Sequence, residues 1–333
     1  MKKKSIQQED KFLDSLLRPE SWDNYIGQEK IKKSLKIILG AARKRKEPSD
    51  HLLFYGQPGL GKTTLAALVA KEMRVDLKTI SGPTLTKSGD LAAILTNLEK
   101  NEILFIDEAH RISRPIEELF YSAIDCGKIN LTVGKGPSAR IISLDLPPFT
   151  LIAATTRVNL ISSPLRSRFG AIFRFDYYEP EDIEEIIKRS AALLEVNISK
   201  EAILIIAKAS RCVPRLANRL LKRARDVAQM SSPLTRKGEV DNLIFIDGNI
   251  VKETFGMLEI DELGLETYDR RLLEIIIKKF NNRPVGINTL VASLGEEKEA
   301  IEEIYEPYLL KIGFLQRTPR GRIATPEARE WLG

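Results

Sequence analysis

Gly56, Gly61, Lys62 and Thr63, in the string GQPGLGKTT, are the residue types that hold a polyphosphate, at the spacing G-x-x-x-x-G-K-[ST]. Glycine backbone reaches conformations closed to other residues, so Gly56, Gly59 and Gly61 let amide groups close around an anion. A helix that begins at Lys62 points its free N–H groups and the positive end of its dipole at the same anion. Lys62 then reaches the β- and γ-phosphates, Thr63 places its hydroxyl on Mg²⁺, and Thr64 lies beside them at the nucleotide. The string sits between the apolar run HLLFY and the helical pattern TLAALVAKEM, the context such a loop requires.

A second string, EILFIDEAH, supplies the rest of a nucleotide site. Ile103 to Ile106 read as a buried strand that ends in Asp107 and Glu108, and two charges at a buried sheet edge are costly unless a cation is present. Asp107 is suited to hold Mg²⁺ through its water shell, Glu108 to orient or deprotonate an attacking water. His110 completes a DEAH string only by letter and reads as incidental. No Asn–Lys pair of the guanine-specific kind occurs, which favours ATP. Further on, TLIAATTR ends a strand with Thr155 and Thr156, polar groups suited to sensing the γ-phosphate. SSPLRSRFG then places Arg166 and Arg168 in a loop. An arginine there either covers apolar surface or, in an oligomer, acts as a finger on a neighbour's nucleotide.

The elements around these strings alternate. Apolar strands at HLLFYG, DLKTIS, EILFID and FTLIAATT are separated by helical patterns, which predicts a mostly parallel sheet with helices on both faces. Ligands of such sheets bind at the carboxyl ends of the strands, where the phosphate loop lies. A helix with Ile31, Leu35, Ile38 and Leu39 on one face precedes the first strand. The segment Gly127–Leu146 reads as an inserted β-hairpin with a GKGPSA tip, either packed on its own domain or presenting apolar residues to a partner.

From Pro180 the pattern turns helical: PEDIEEIIKRSAALLEV, ISKEAILIIAKAS and VPRLANRLLKRARDVAQM. Pro214 suits a first helical turn and presents Arg215 at the helix start. The C-terminal stretch reads as three helices and a hairpin, a winged helix. Its helix Glu296–Lys311, in the recognition position, carries six Glu against two Lys, so a phosphate-lined major groove repels it. The hairpin tip holds Arg317, Arg320 and Arg322, and contact with DNA is expected there, on the backbone, together with Lys298; such contacts position a protein without reading sequence. The fold class is therefore α/β, a P-loop core of parallel sheet (1–178, hairpin about 127–146), a small helical lid (179–255) and a winged-helix domain (256–333).

The 333 residues, 43% hydrophobic and 29% charged, suit an ordinary globular chain. The N-terminus is basic without an apolar stretch behind it, so no secretory signal is read, and no apolar run approaches the ~18 residues of a membrane span. Cys126 and Cys212 form no C-x-x-C, consistent with a reducing cytoplasm, and two histidines make a histidine metal site improbable. A net charge of +6 is compatible with a nucleic-acid partner.

Together, RPESWDNYIGQ, GQPGLGKTTLA, FIDEAHR, LIAATTR, SSPLRSRFG, PRLANRLL, DELGLETYDRRLL and EPYLLKIGFLQRTPRGR resemble the AAA+ ATPases and, over nearly the whole chain, the RuvB family of Holliday-junction branch-migration motors. By that resemblance Leu17, Arg18, Tyr25 and Ile26 line the adenine pocket with Tyr178 near the nucleotide. Thr156 is sensor 1, Arg168 the trans-acting finger, and Pro214-Arg215 carry sensor 2. The resemblance further implies ATP and Mg²⁺, a homo-hexameric ring on duplex DNA in recombination and repair, a RuvA partner met by Ile141 and Ile142, and RuvC as a further one. One departure stands out: the family has Gly-Thr-Pro-Arg before the last lid helix, and this chain has Cys212-Val213-Pro214-Arg215. Two alternatives remain, a clamp-loader subunit, which would carry a helical collar, and an initiator-type ATP switch, which would assemble on DNA without translocating.

Overall fold

The computed structural model describes residues 16–133, 140–231 and 244–333, so the lysines at 2 to 4 and the GKGPSA tip lie outside the described residues. The chain divides into two compact units, Met1–Tyr178 and Glu179–Gly333.

In the first unit, α1 (Glu29–Arg45) buries Ile31, Leu35 and Leu39. It is followed by β1 (Leu52–Tyr55), α2 (Lys62–Met73), β2 (Leu77–Ser81), α3 (Ser88–Thr96), β3 (Ile103–Asp107) and α4 (Arg114–Cys126). The hairpin β4 (Lys128–Val133) and β5 (Arg140–Asp145) comes next, then β6 (Thr150–Thr155), a one-turn α5 (Ser163–Arg166) and β7 (Ala171–Arg174). The sheet runs β2-β3-β6-β1-β7, all parallel. Strands covered on both faces read as unbroken apolar runs, which is why β1, β3 and β6 were legible. The edge strand β7 was not: it has four residues and alternates half-buried with exposed. Likewise, the loop expected at SSPLR contains α5, capped by the Ser162 hydroxyl accepting from Leu165 N–H.

The order of the sheet fixes the site. β6 lies between β3 and β1, with Tyr55 opposite Thr155 and Ile106 opposite Ala153. The carboxyl ends of β1, β6 and β3 therefore open side by side. His51 ties the start of β1 to β6, its Nδ1 accepting from Leu151 N–H at 2.8 Å. Burial lowers the pKa of His51, which keeps that nitrogen an acceptor.

The second unit begins with α6 (Pro180–Leu193), β8 (Asn197–Ile198), α7 (Lys200–Ala209), α8 (Pro214–Ser231), β9 (Phe245–Ile246) and α9 (Gly248–Leu258). The expected all-helical lid thus carries one two-residue strand pair, β8 with β9. After it come α10 (Thr267–Glu274), which continues as a π turn Ile275–Lys279, and α11 (Ile287–Leu294). The acidic helix is three pieces in line: α12 (Lys298–Ala300), a π turn Ile301–Tyr305 and α13 (Glu306–Lys311). Pro307 cannot donate to the ladder, and a π turn just before it absorbs the break. The wing is β10 (Leu315–Thr318) paired with β11 (Gly321–Ala324), and α14 (Pro326–Leu332) follows. Val285 adds a third rung, exchanging both backbone hydrogen bonds with Arg322 at 2.8 Å. A Cβ on Gly321 would lie 2.4 Å from Val285 O, so that rung requires glycine.

Lid and wing share a buried joint. Arg211 donates from Nε to Gly264 O at 2.8 Å and from Nη2 to Asp269, and its guanidinium lies 5.0 Å from the Tyr308 ring centroid. Asp269 is fully buried, and that burial raises its pKa against the opposing charge of Arg211.

Candidate functional site

The phosphate loop closes through its glycines. Gly56 (φ 150°) donates to Thr155 O at 3.2 Å, and a Cβ on it would sit 2.6 Å from Phe175 O. Gly59 (φ 82°) and Gly61 (φ 93°) take left-handed backbone. Gly61 caps α2 without a side-chain hydrogen bond, so the first-turn N–H groups keep their capacity for an anion. Lys62 is buried, its Nζ donating to Gly56 O at 2.8 Å and Gln57 O at 2.9 Å. An ammonium folded against its own loop, beside an uncapped helix start, fits a polyphosphate.

Two tyrosines from opposite ends of the first unit meet at this loop. Tyr178 Oη donates to Tyr25 Oη and to Leu60 O, both at 3.3 Å. A Cβ on Gly61 would lie 2.6 Å from Tyr25 Oη. Burial, reinforced by Tyr178, raises the Tyr25 pKa well above its ordinary value. Leu17 is buried in the same unit, Ile26 half-buried and Arg18 exposed.

At the end of β3, Asp107 Oδ1 accepts from Glu108 N–H at 2.9 Å. Glu108 has φ 50°, a left-handed position occupied by a full side chain, and its carboxylate lies 3.8 Å from Arg111. Such strain in a non-glycine residue clusters where chemistry is done. The turn is roofed by Gly82, where a Cβ would come 2.4 Å from Glu108 O. Gly82 carries no sequence signal, because the string SGPTL contains no spacing that points to it. His110, incidental by its own string, is engaged in the structure: its Nδ1 and Thr155 Oγ1 are 3.0 Å apart, bridging β3 to β6. Thr155 Oγ1 further accepts from Arg157 N–H at 3.0 Å, and Thr156 follows half-buried. Thr63 and Thr64 are half-buried in the first turn of α2. The hydroxyl of Thr63 and the carboxylate of Asp107 are hard oxygen donors of the kind Mg²⁺ takes.

Arg168 is held within its own chain. Nε and Nη2 grip Asp125 at 2.7 to 3.0 Å, Nη1 donates to Pro164 O at 2.7 Å, and the guanidinium stacks 4.5 Å from the Tyr121 centroid. Arg166 ends α5, half-buried. Pro214 starts α8 in the second unit, with Arg215 exposed beside it.

Comparison with known proteins settles the family. The Holliday junction DNA helicase RuvB P-loop domain matches residues 17–175, the RuvB AAA lid domain 178–261 and the RuvB C-terminal winged helix domain 262–333. The chain belongs to the RuvB family. RuvB of Thermotoga maritima, titled a Holliday junction branch migration motor, is 47% identical, with TM-score 0.85 over 95% of this chain and 98% of that one. An arginine-to-alanine variant of that RuvB aligns with TM-score 0.83. The C-terminal RuvB match is a winged helix and not a helical collar, which sets aside the clamp-loader alternative.

In the RuvB winged-helix domain, Lys298 on α12 and Arg320 at the wing's turn are exposed. Arg317 and Arg322 are both tied to the buried Glu306: Arg317 Nε and Nη2 donate to Oε2, and Arg322 Nε donates to Oε1 at 2.6 Å. Arg322 also reaches Glu302 at 3.1 Å. Burial opposes its charge, and the bonds to Glu306 and Glu302 outweigh that and raise its pKa. In the hairpin of the RuvB core, Ile129 is buried and packs into the core, while Ile141 and Ile142 on the other arm are 76% and 44% exposed. One arm of the hairpin thus packs on its own domain, and the other leaves two large apolar side chains uncovered. Among the described residues no helix is long and apolar enough to cross a membrane.

Proposed function

We propose how the residues above carry out the ATP-driven branch migration of Holliday junctions that membership of the RuvB family gives this chain. One observation carries the reading: phosphate loop, acidic pair and sensor threonines open on one edge of one parallel sheet. The backbone of Gly56–Gly61 and the first turn of α2 bind the phosphates of ATP, and Lys62 leaves its loop carbonyls for the β- and γ-oxygens. Thr63 and Asp107 hold Mg²⁺, which when bound neutralises phosphate charge. Glu108 orients and deprotonates the attacking water. Thr156 senses the γ-phosphate, with Thr155 and His110 fixing the strand end behind it. Leu17, Arg18, Tyr25, Ile26 and Tyr178 bound the adenine side.

The subunits form a ring, a homo-hexamer, around duplex DNA. Arg168 of one subunit completes its neighbour's site, and Asp125 and Tyr121 keep its guanidinium oriented for that task. Pro214 and Arg215 report the nucleotide state to the lid, which the Arg211 joint links to the wing. Lys298, Arg317, Arg320 and Arg322 grip the DNA backbone. Ile141 and Ile142 dock on RuvA, which holds the four-way junction, and RuvC joins the assembly.

The test is dissociation of a synthetic four-way junction into duplexes, with ATP, the cognate RuvA and Lys62→Ala as control. ATP-dependent dissociation that requires RuvA and is lost in the control supports the motor; ATP hydrolysis with the junction intact would move the initiator-type switch to the front. For the finger, mixing Arg168→Ala with Glu108→Gln subunits should restore ATPase at intermediate ratios. No recovery at any ratio rejects action in trans.

A further inference from the structure

The wing carries its cations in an unusual setting, because two of its three arginines end on one carboxylate. Glu306 is fully buried, yet both its oxygens are used: Oε2 accepts from Arg317 and Arg322, Oε1 from Arg322. A buried carboxylate is stable as an anion only when charge-paired, and two guanidinium groups meet that need. The side chain of Arg322 is 14% exposed and that of Arg317 50%. Each spends Nε and Nη2 on protein acceptors. Among the described residues neither Nη1 donates to a protein acceptor, so that corner, with its two N–H donors, is left over in both.

The placement of Glu306 is built into the fold. It opens α13 directly after the π turn Ile301–Tyr305, beside Pro307. The strands keep Arg317 opposite Arg322 in register, and Val285 clamps Arg322 by two backbone bonds. Arg320, between them in sequence, stands exposed at the turn.

We propose that Glu306 is the positioning residue of the wing: its buried carboxylate fixes Arg317 and Arg322 with their free Nη1 corners outward, as oriented donors for backbone phosphates. This rests on the reading of the wing as the DNA contact. Fixed guanidinium groups lose little rotamer freedom on binding, whereas free arginines lose much. Their net charge with Glu306 is lower than that of two free arginines, so the arrangement favours geometry over raw attraction.

The experiment measures duplex affinity of the full chain by fluorescence anisotropy across a salt series, for four proteins. Glu306→Gln keeps the shape and removes the charge; its Kd should rise about tenfold through lost preorganisation. Its log Kd against log salt slope should also fall, by up to ~0.9 per lost phosphate contact. Arg317→Lys with Arg322→Lys keeps every charge but loses the forked geometry, and should weaken binding comparably. This second variant decides the matter if Glu306→Gln does not fold. Equal or tighter binding with a steeper slope in Glu306→Gln means the carboxylate restrains the cations, and overturns the proposal; so does wild-type binding by the double lysine variant. Replacing Arg317, Arg320 and Arg322 together by Ala separates the two readings. If that triple variant binds DNA normally, the wing reading itself fails and the proposal with it. If it is weak while the other two bind normally, only positioning is lost.

Discussion

In the phosphate loop the left-handed positions fall on Gly59 (φ 82°) and Gly61 (φ 93°), whereas before the last long lid helix they fall on Arg211 (φ 57°) and Cys212 (φ 59°). Glycine takes such backbone at no steric cost, but a residue with a Cβ loses roughly 1–2 kcal/mol there. Glu108 (φ 50°) stands between the two cases. Its strain sits on the side chain proposed to activate water. The contrast separates left-handed turns that the sequence relieves, one that the proposed catalysis requires, and one that the chain bears at a joint between lid and wing.

Glu108 offers the widest separation of activity from stability. Glu108→Gln leaves φ and side-chain size unchanged and should cut the ATPase rate by about 10²–10⁴-fold, the usual worth of a positioned base. Glu108→Gly removes the same group and relieves the turn, so its thermal midpoint should equal or exceed that of the wild type while activity stays lost. Steady-state ATPase and a melting curve on both variants check this. A Gly variant that melts lower would mean the Glu108 side chain, through Arg111, holds the loop together.

At Gly61 the effect should combine both terms. Ala there must take φ 93° and bring its Cβ within 2.6 Å of Tyr25 Oη. The loss should be about 1–3 kcal/mol of stability, with ATP binding impaired. Gly61→Ala in a Tyr25→Phe background tests the cause. Removing the hydroxyl should recover part of the loss, since the clash goes and the backbone strain stays. No recovery would leave backbone strain as the whole explanation.

These cases also mark what the sequence could disclose. Gly56, Gly59, Gly61 and Lys62 were legible because fixed glycine spacing has one common physical use, and β1, β3 and β6 because strands buried on both faces are apolar throughout. Gly82 was not, because its role is to admit the carbonyl of Glu108, a neighbour from another element. His110 looked idle in its own string, since its partner Thr155 comes from β6. The wing arginines were visible as a cluster, but Glu306 was counted only as one of the charges that repel phosphate. It is fully buried where a π turn meets the start of α13, a break that no periodicity exposes. Left-handed backbone at Glu108, Arg211 and Cys212 carries no sequence signal either, because the residue types there are not those that favour it.

Cys212 gives the smallest effect and the sharpest control. Where the family's string has Gly, this chain holds a Cβ at φ 59°. Cys212→Gly removes the steric cost but adds unfolded-chain entropy, which offsets part of the gain. The side chain is only half-buried, so little packing is lost. The net should be a stabilisation of about 0.5–1 kcal/mol, read as a rise in urea midpoint at unchanged slope. Cys212→Ala keeps the Cβ and should match the wild type, which separates backbone strain from thiol chemistry. Arg211 cannot be relieved the same way, because its side chain holds Asp269 and Gly264 O in the joint; Arg211→Gly should lose more than it gains. If Cys212→Gly is neutral or destabilising while Cys212→Ala is neutral, the strain at Cys212 is compensated by the Arg211 joint, and the two left-handed residues act as one unit that sets how α8 meets the wing.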